Sequence, residues 1–252
     1  MTAPIASWIV RQPRPAARLR LFCFPYSGGG AGAYRGWSEA LPSVEVCAFQ
    51  LPGREARLRE PPLTFLSPLV EMCVGVILRE DPRPFAFYGH SLGAFVAFEV
   101  ARALRRGGAP PPRHLFVGAA VAPQRHAVAA PVHAGTDAGL VARLRRYGGT
   151  PEAVLAEPEL MAMILPAFRA DLTIFETYHA ADEPPLDVPI SAFGGLDDPY
   201  VPRADVEAWG AQTSRAFVAR MLPGGHLFLQ SSRSALLAAL LADLGDGSRL
   251  SP

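Results

Sequence analysis

Five consecutive residues, Gly89-His90-Ser91-Leu92-Gly93, combine a hydroxyl with flanking glycines in the pattern G-x-S-x-G. They lie between an apolar run, Phe85-Ala86-Phe87-Tyr88, and a segment with helical periodicity. A serine that must act as a nucleophile sits on a tight strand-to-helix turn, so the residues two before and two after it must lack bulk. That turn lifts Oγ off the sheet and aims the helix N-terminus at the reacting carbonyl. The chemistry is acyl transfer with Ser91 as the expected nucleophile.

A serine hydroxyl needs a base at neutral pH. In this kind of site the chain order is serine, acid, histidine. Of the six histidines, His90 adjoins the serine, and its side chain is expected to point away across the turn. His114, His126, His133 and His179 come too early. His226, in Pro-Gly-Gly-His-Leu-Phe-Leu after the last expected strand, is the expected base. The acid belongs at the end of the preceding strand, where Asp197 and Asp198 are both available. Asp198 is preferred because it precedes Pro199, which biases its backbone toward an extended or turn conformation. Its task is to fix the imidazole tautomer and stabilise the imidazolium. An oxyanion requires two backbone N–H donors. Leu92, next after the serine, supplies one; the other belongs to the loop Phe24-Pro25-Tyr26-Ser27-Gly28-Gly29-Gly30, with Ser27 preferred and Tyr26 the alternative.

The elements that would position these residues read as alternating strands and helices. Strands are expected at 19–24, 44–51, 85–89, 114–121, 189–194 and 216–222, with helices at 67–79, 92–106, 205–212 and 231–244. This pattern predicts an α/β architecture, a mostly parallel sheet covered on both faces. About 65 residues between the fourth and fifth of these strands lack strand character. They read as helices: one from Thr136-Asp137 to a stop at Gly148-Gly149, a second started by Thr150-Pro151-Glu152, and an apolar segment at 159–165 that Pro166 is expected to break. A helical insertion at 124–183 is expected to act as a lid in a single domain spanning 1–252.

Composition narrows the rest. The chain has 252 residues, half of them apolar, and a formal net charge of +1. A chain this long buries a core without metal or disulfides. The charge balance argues against a nucleic-acid binder. All 24 basic residues are arginine. Without lysine the glycine-rich loop cannot be a Walker phosphate loop. Cys23, Cys47 and Cys73 are odd in number and lack metal-binding spacing, which suits buried reduced thiols and a cytoplasmic setting. The N-terminal stretch lacks the apolar core of a signal peptide, and no run reaches membrane-spanning length. No metal and no bound cofactor are expected.

Beyond the serine motif, the blocks FPYSGGGAGAYRGW from 24, QLPGRE at 50–55, GHSLGA at 89–94, LPAFRADL at 165–172, GGLDDP at 194–199 and GGHLFL at 224–229 resemble the free-standing type II thioesterases of polyketide and non-ribosomal peptide synthases. The resemblance implies an α/β-hydrolase fold with a helical lid. It also implies hydrolysis of acyl groups from the phosphopantetheine arm of acyl carrier or peptidyl carrier proteins, in an editing role. It supports Ser91, Asp198 and His226 as catalytic residues. It includes Arg169 and Asp171 without explaining them. A product-releasing thioesterase, a carboxylesterase and a non-catalytic carrier-binding module are the competing readings. A monomer is expected, and docking to an acidic carrier is expected to use arginine, from the lid or from the loop at Arg54, Arg57 and Arg59.

Overall fold

A computed structural model describes residues 8–127 and 131–245. The first seven residues of the N-terminal segment, the C-terminal residues 246–252 and residues 128–130 of the expected insertion lie outside the described residues. The strands are β1 (Ile9–Val10), β2 (Leu19–Phe24), β3 (Val44–Phe49), β4 (Phe85–His90), β5 (Leu115–Gly118), β6 (Ile190–Gly195) and β7 (Phe217–Leu222). They form one sheet in the order β1-β3-β2-β4-β5-β6-β7. All neighbours run parallel except β1, which pairs antiparallel with β3 (Ile9 opposite Phe49). The short β1 was not anticipated; two residues give no readable periodicity.

The helices are α1 (Trp37–Ala40), α2 (Leu66–Ile77), α3 (Leu92–Arg106), α4 (Asp137–Tyr147), α5 (Glu152–Leu155), α6 (Pro158–Thr177), α7 (Arg203–Glu207), α8 (Phe228–Ser231) and α9 (Arg233–Leu244). Every residue of β2 and β3 is buried. Side chains alternate across the sheet. Phe22 and Phe24 enter the core shared with α2 and α3, while Leu21 and Cys23 enter the one shared with Trp37 and α9. Arg20 survives inside β2 because Glu45 of β3 (2.6 Å) and Asp81 (2.8 Å) take its guanidinium. The three cysteines are free and buried. Burial pushes the Cys47 thiol up to about 12.

The predicted strands and helices are present with trimmed ends. β5 stops at Gly118 because Ala119 turns to φ 50°. The segment 205–212 divides into α7 and a 3-10 turn. In the insertion, α4 begins where expected, with Thr136 Oγ1 accepting the Gly139 N–H at 3.3 Å. It ends at Gly148, whose φ is 75°. α5 is a single turn with Pro151 as its N-cap. The expected break at Pro166 is absent: α6 runs through it. A proline costs the helix the hydrogen bond to the carbonyl four residues earlier. Here Ala162 and Pro166 both lie on the exposed face, so water can take that carbonyl. Leu140, Leu144, Leu155, Met161, Leu165, Phe168 and Leu172 pack α4–α6 into a small core of their own. Among the described residues, no helix is long and apolar enough to cross a membrane.

Candidate active site

Ser91 stands between β4 and α3 with φ 54° and ψ −118°, a conformation unusual for a non-glycine residue. The flanking glycines make that turn possible. A Cβ on Gly89 would lie 2.1 Å from the Gly93 carbonyl oxygen, and one on Gly93 would lie 2.0 Å from the Phe24 carbonyl oxygen. The turn is tied down by the Ser91 N–H, which donates to Gly118 O of β5 at 2.7 Å. Leu92 opens the 15-residue helix α3. Its N–H is one of the first-turn donors that lack an intrahelical acceptor, and it lies at the positive end of the helix dipole.

His226 lies in the loop between β7 and α8. Its Nε2 is 3.0 Å from Ser91 Oγ and its Nδ1 is 2.8 Å from Asp198 Oδ2. A carboxylate at Nδ1 requires that nitrogen to carry the proton, which leaves the Nε2 lone pair for the serine hydroxyl. The Asp198 side chain is fully buried. Its second oxygen accepts the Tyr200 N–H at 2.9 Å. Asp197 is exposed, and its backbone N–H bonds Gly224 O at 3.0 Å. Of the two candidate acids, the structure therefore brings Asp198 to His226.

The loop after β2 forms a turn in which the Gly29 N–H donates to Tyr26 O at 2.8 Å. Gly28, with φ 78°, takes the third position, as a type II turn requires. The Gly28 N–H is committed to Asp171 Oδ2 at 2.7 Å. With Gly28 and Gly29 occupied, Ser27 and Tyr26 are the turn residues left to donate toward Ser91. Tyr26, Ser27, Gly28, Ser91 and His226 line one cavity of about 150 Å³. Ser91 and His226 also line a second, of about 330 Å³, with Ala119, Ala120, Phe175 and Tyr200.

Three contacts were missed by sequence reasoning. Tyr147, at the end of α4, stacks on His226 with centroids 4.7 Å apart and planes 16° from parallel. Burial raises its phenol to about 12, so it stays neutral. His90 does turn away from the reacting side, yet it is not idle. Its Nε2 donates to His226 O at 2.7 Å and its Nδ1 accepts from Tyr88 Oη at 2.9 Å. Burial pushes its pKa down to about 3, which keeps it the neutral donor this requires. Asp171, finally, forms a two-pronged ion pair with Arg54. Apart from Tyr88, two residues before His90 on the same strand, each partner lies far along the chain, so no local signal marks these contacts. Arg169 bonds His133 O, Gly135 O and Asp137, holding the start of α4 to α6.

The loop half of the arginine docking expectation needs correction at two positions. Arg54 is buried against Asp171, and Arg57 is buried against Glu60, Gln50 O and the Trp8 ring. A guanidinium already desolvated and paired has no charge to offer a partner's surface. Arg59 alone of the three is exposed. Among the described residues, no cluster of His, Cys, Asp or Glu could hold a metal ion.

A family model of the thioesterase domain matches residues 19–244. The chain belongs to the thioesterase family. This thioesterase is 42% identical over 242 residues to the gramicidin S biosynthesis protein GrsT of Aneurinibacillus migulanus, covering 95% of this chain and 94% of that one. The structure of BorB, a type II thioesterase from the borrelidin biosynthetic cluster, superposes with a TM-score of 0.87 at 38% identity, covering 95% and 98% of the two chains. RedJ, a thioesterase of the prodiginine pathway in Streptomyces coelicolor, gives 0.82 at 44% identity over 89% and 86%.

Proposed function

We propose that this thioesterase removes acyl groups from the phosphopantetheine arm of acyl or peptidyl carrier proteins by serine catalysis, an editing role in polyketide or non-ribosomal peptide synthesis. The observation that carries the catalytic part is His226 bridging Ser91 and Asp198, in a cavity also lined by the turn at Tyr26, Ser27 and Gly28. Near full-length similarity to GrsT and BorB supports the hydrolytic editing role and the carrier-bound substrate.

His226 Nε2 takes the proton of Ser91 Oγ as Oγ bonds to the thioester carbon. The carbonyl π electrons move to oxygen, which the N–H groups of Leu92 and of Ser27 or Tyr26 stabilise. Collapse expels the pantetheine sulfur, protonated by the imidazolium. Water, deprotonated by His226, then releases the acid from the acyl-serine. Asp198 holds the ring and offsets its positive charge. The two cavities that meet at Ser91 give the acyl group and the arm separate spaces, with α4 and α6 as the lid over both.

The test is hydrolysis of a panel of acyl-carrier proteins beside matched oxygen esters, with fluorophosphonate labelling of Ser91. Carrier thioesters should be preferred and Ser91→Ala should neither label nor turn over. Labelling elsewhere, or an equal rate with oxygen esters, would overturn the reading.

A further inference from the structure

We propose that Asp171 and Arg54 are positioning residues for the oxyanion turn, so that the inserted helix α6 sets donor geometry on the side of the site opposite Leu92. This rests on the serine thioesterase reading above. It gives a physical role to two blocks, QLPGRE and LPAFRADL, that the catalytic residues leave unexplained.

A type II turn differs from a type I turn by a flip of its central peptide, here Ser27–Gly28. With glycine third in the turn, neither orientation meets a steric barrier at Cβ. The choice must be made by contacts around the turn, and they are on one side. The Gly28 N–H of that central peptide points at Asp171 Oδ2, 2.7 Å away. A flip would set the Ser27 carbonyl against the same carboxylate, so Asp171 both holds one orientation and opposes the other. Arg54 extends the hold: its guanidinium donates to Gly29 O at 3.1 Å and to Pro52 O at 3.3 Å while gripping both Asp171 oxygens. The pair is 6% and 2% exposed, which keeps water from competing for these bonds. Phe168, one turn before Asp171 on α6, closes the space behind Gly28: a Cβ there would lie 3.1 Å from its ring. The peptide joining Tyr26 to Ser27, which carries the Ser27 donor, is therefore fixed by the turn's far side.

Neither residue touches the reacting atoms in this arrangement, so their effect should fall on the transition state. Removing a buried ion pair as a unit, with apolar residues of similar volume, commonly leaves stability intact. The test compares Arg54→Met/Asp171→Leu with Arg54→Met/Asp171→Asn, whose amide oxygen still accepts from Gly28. Both are assayed on a short acyl-carrier thioester and for affinity toward an acyl trifluoromethyl ketone. In that adduct Ser91 Oγ bonds to the ketone carbon, its proton passes to His226, and the carbonyl electrons become an alkoxide in the oxyanion site.

The Met/Leu protein should lose about ten- to a hundredfold in kcat with KM little changed, and the ketone should weaken by the same factor. The Met/Asn protein should recover most of both. Wild-type kcat in a folded Met/Leu protein overturns the proposal, as does a loss that leaves ketone affinity untouched. Should Met/Leu fail to fold, Arg54→Met/Asp171→Ser, whose side chain is too short to reach Gly28, carries the same comparison with the same outcomes. Wild-type protein inert toward thioester and ketone alike would instead sink the serine thioesterase reading itself.

Discussion

The two halves of the site are held by different means. On the sheet side, Ser91 is fixed by backbone against backbone: glycines at 89 and 93 let chain segments approach to distances no side chain would permit, and the Ser91 N–H is bound to the neighbouring strand. On the inserted side, α4 and α6 reach the site through side chains alone, with Tyr147 on His226, and with Phe168 and Asp171 behind Gly28. Backbone contact makes the sheet half intolerant of change. Side-chain contact makes the inserted half adjustable, which suits a family whose members come from different biosynthetic pathways.

Substitutions can break or sharpen this contrast. Ser91→Ala should lower kcat by roughly a millionfold, read as carrier-thioester turnover, with an unchanged melting temperature. Asp198→Ala should cost about 10⁴-fold, because His226 loses the partner that fixes its tautomer. Gly93→Ala should act on the fold instead: a Cβ 2.0 Å from the Phe24 carbonyl oxygen must push two segments apart, for a loss of about 4 kcal/mol or more in denaturant unfolding. Tyr147→Ala, on the inserted side, removes a ring stack of about 0.5–1.5 kcal/mol, so kcat should fall only roughly three- to tenfold. A loss as large as that of Asp198→Ala would erase the distinction between the halves.

The last expected effect leaves turnover aside and falls on the acid side of the stability profile. His90 has a folded pKa lowered to about 3, chiefly by burial, against 6.5 when unfolded. Between those values the unfolded chain binds the proton and the folded one does not, so stability falls as pH drops from 6.5 toward 3. Burial lowers His114 to about 4, with the same sign. His90→Gln keeps a donor in place of Nε2 but cannot titrate; its melting temperature should fall less steeply across that window. An unchanged slope would place the acid sensitivity elsewhere.

What the sequence disclosed follows the same division. The strand–turn–helix at Ser91 could be read because its requirements are local: glycines at fixed offsets, an apolar strand before, a helix after. That Asp198 rather than Asp197 meets His226 was legible through Pro199, and Thr136 marked the start of α4 through its hydroxyl. The continuity of α6 through Pro166 was not legible, since it depends on which face meets water. Nor were the pairing of Arg54 with Asp171, the stacking of Tyr147 or the bond from His90 to the His226 carbonyl. Each depends on how separate layers dock. An arginine in Gly-Arg-Glu looks like surface until a carboxylate more than a hundred residues later is seen beside it.

The strand order carries a consequence in time. Ser91 follows β4 at the middle of the sheet, Asp198 follows β6, and His226 follows β7, the edge strand and the last in sequence. A chain emerging from its N-terminus therefore presents the proposed nucleophile early and the proposed base very late. Until β7 has paired with β6, Ser91 lacks the imidazole of His226. On the proposed serine mechanism, reactivity toward an acyl group therefore requires β7 to be docked on β6, and serine labelling during refolding would time the docking of that edge.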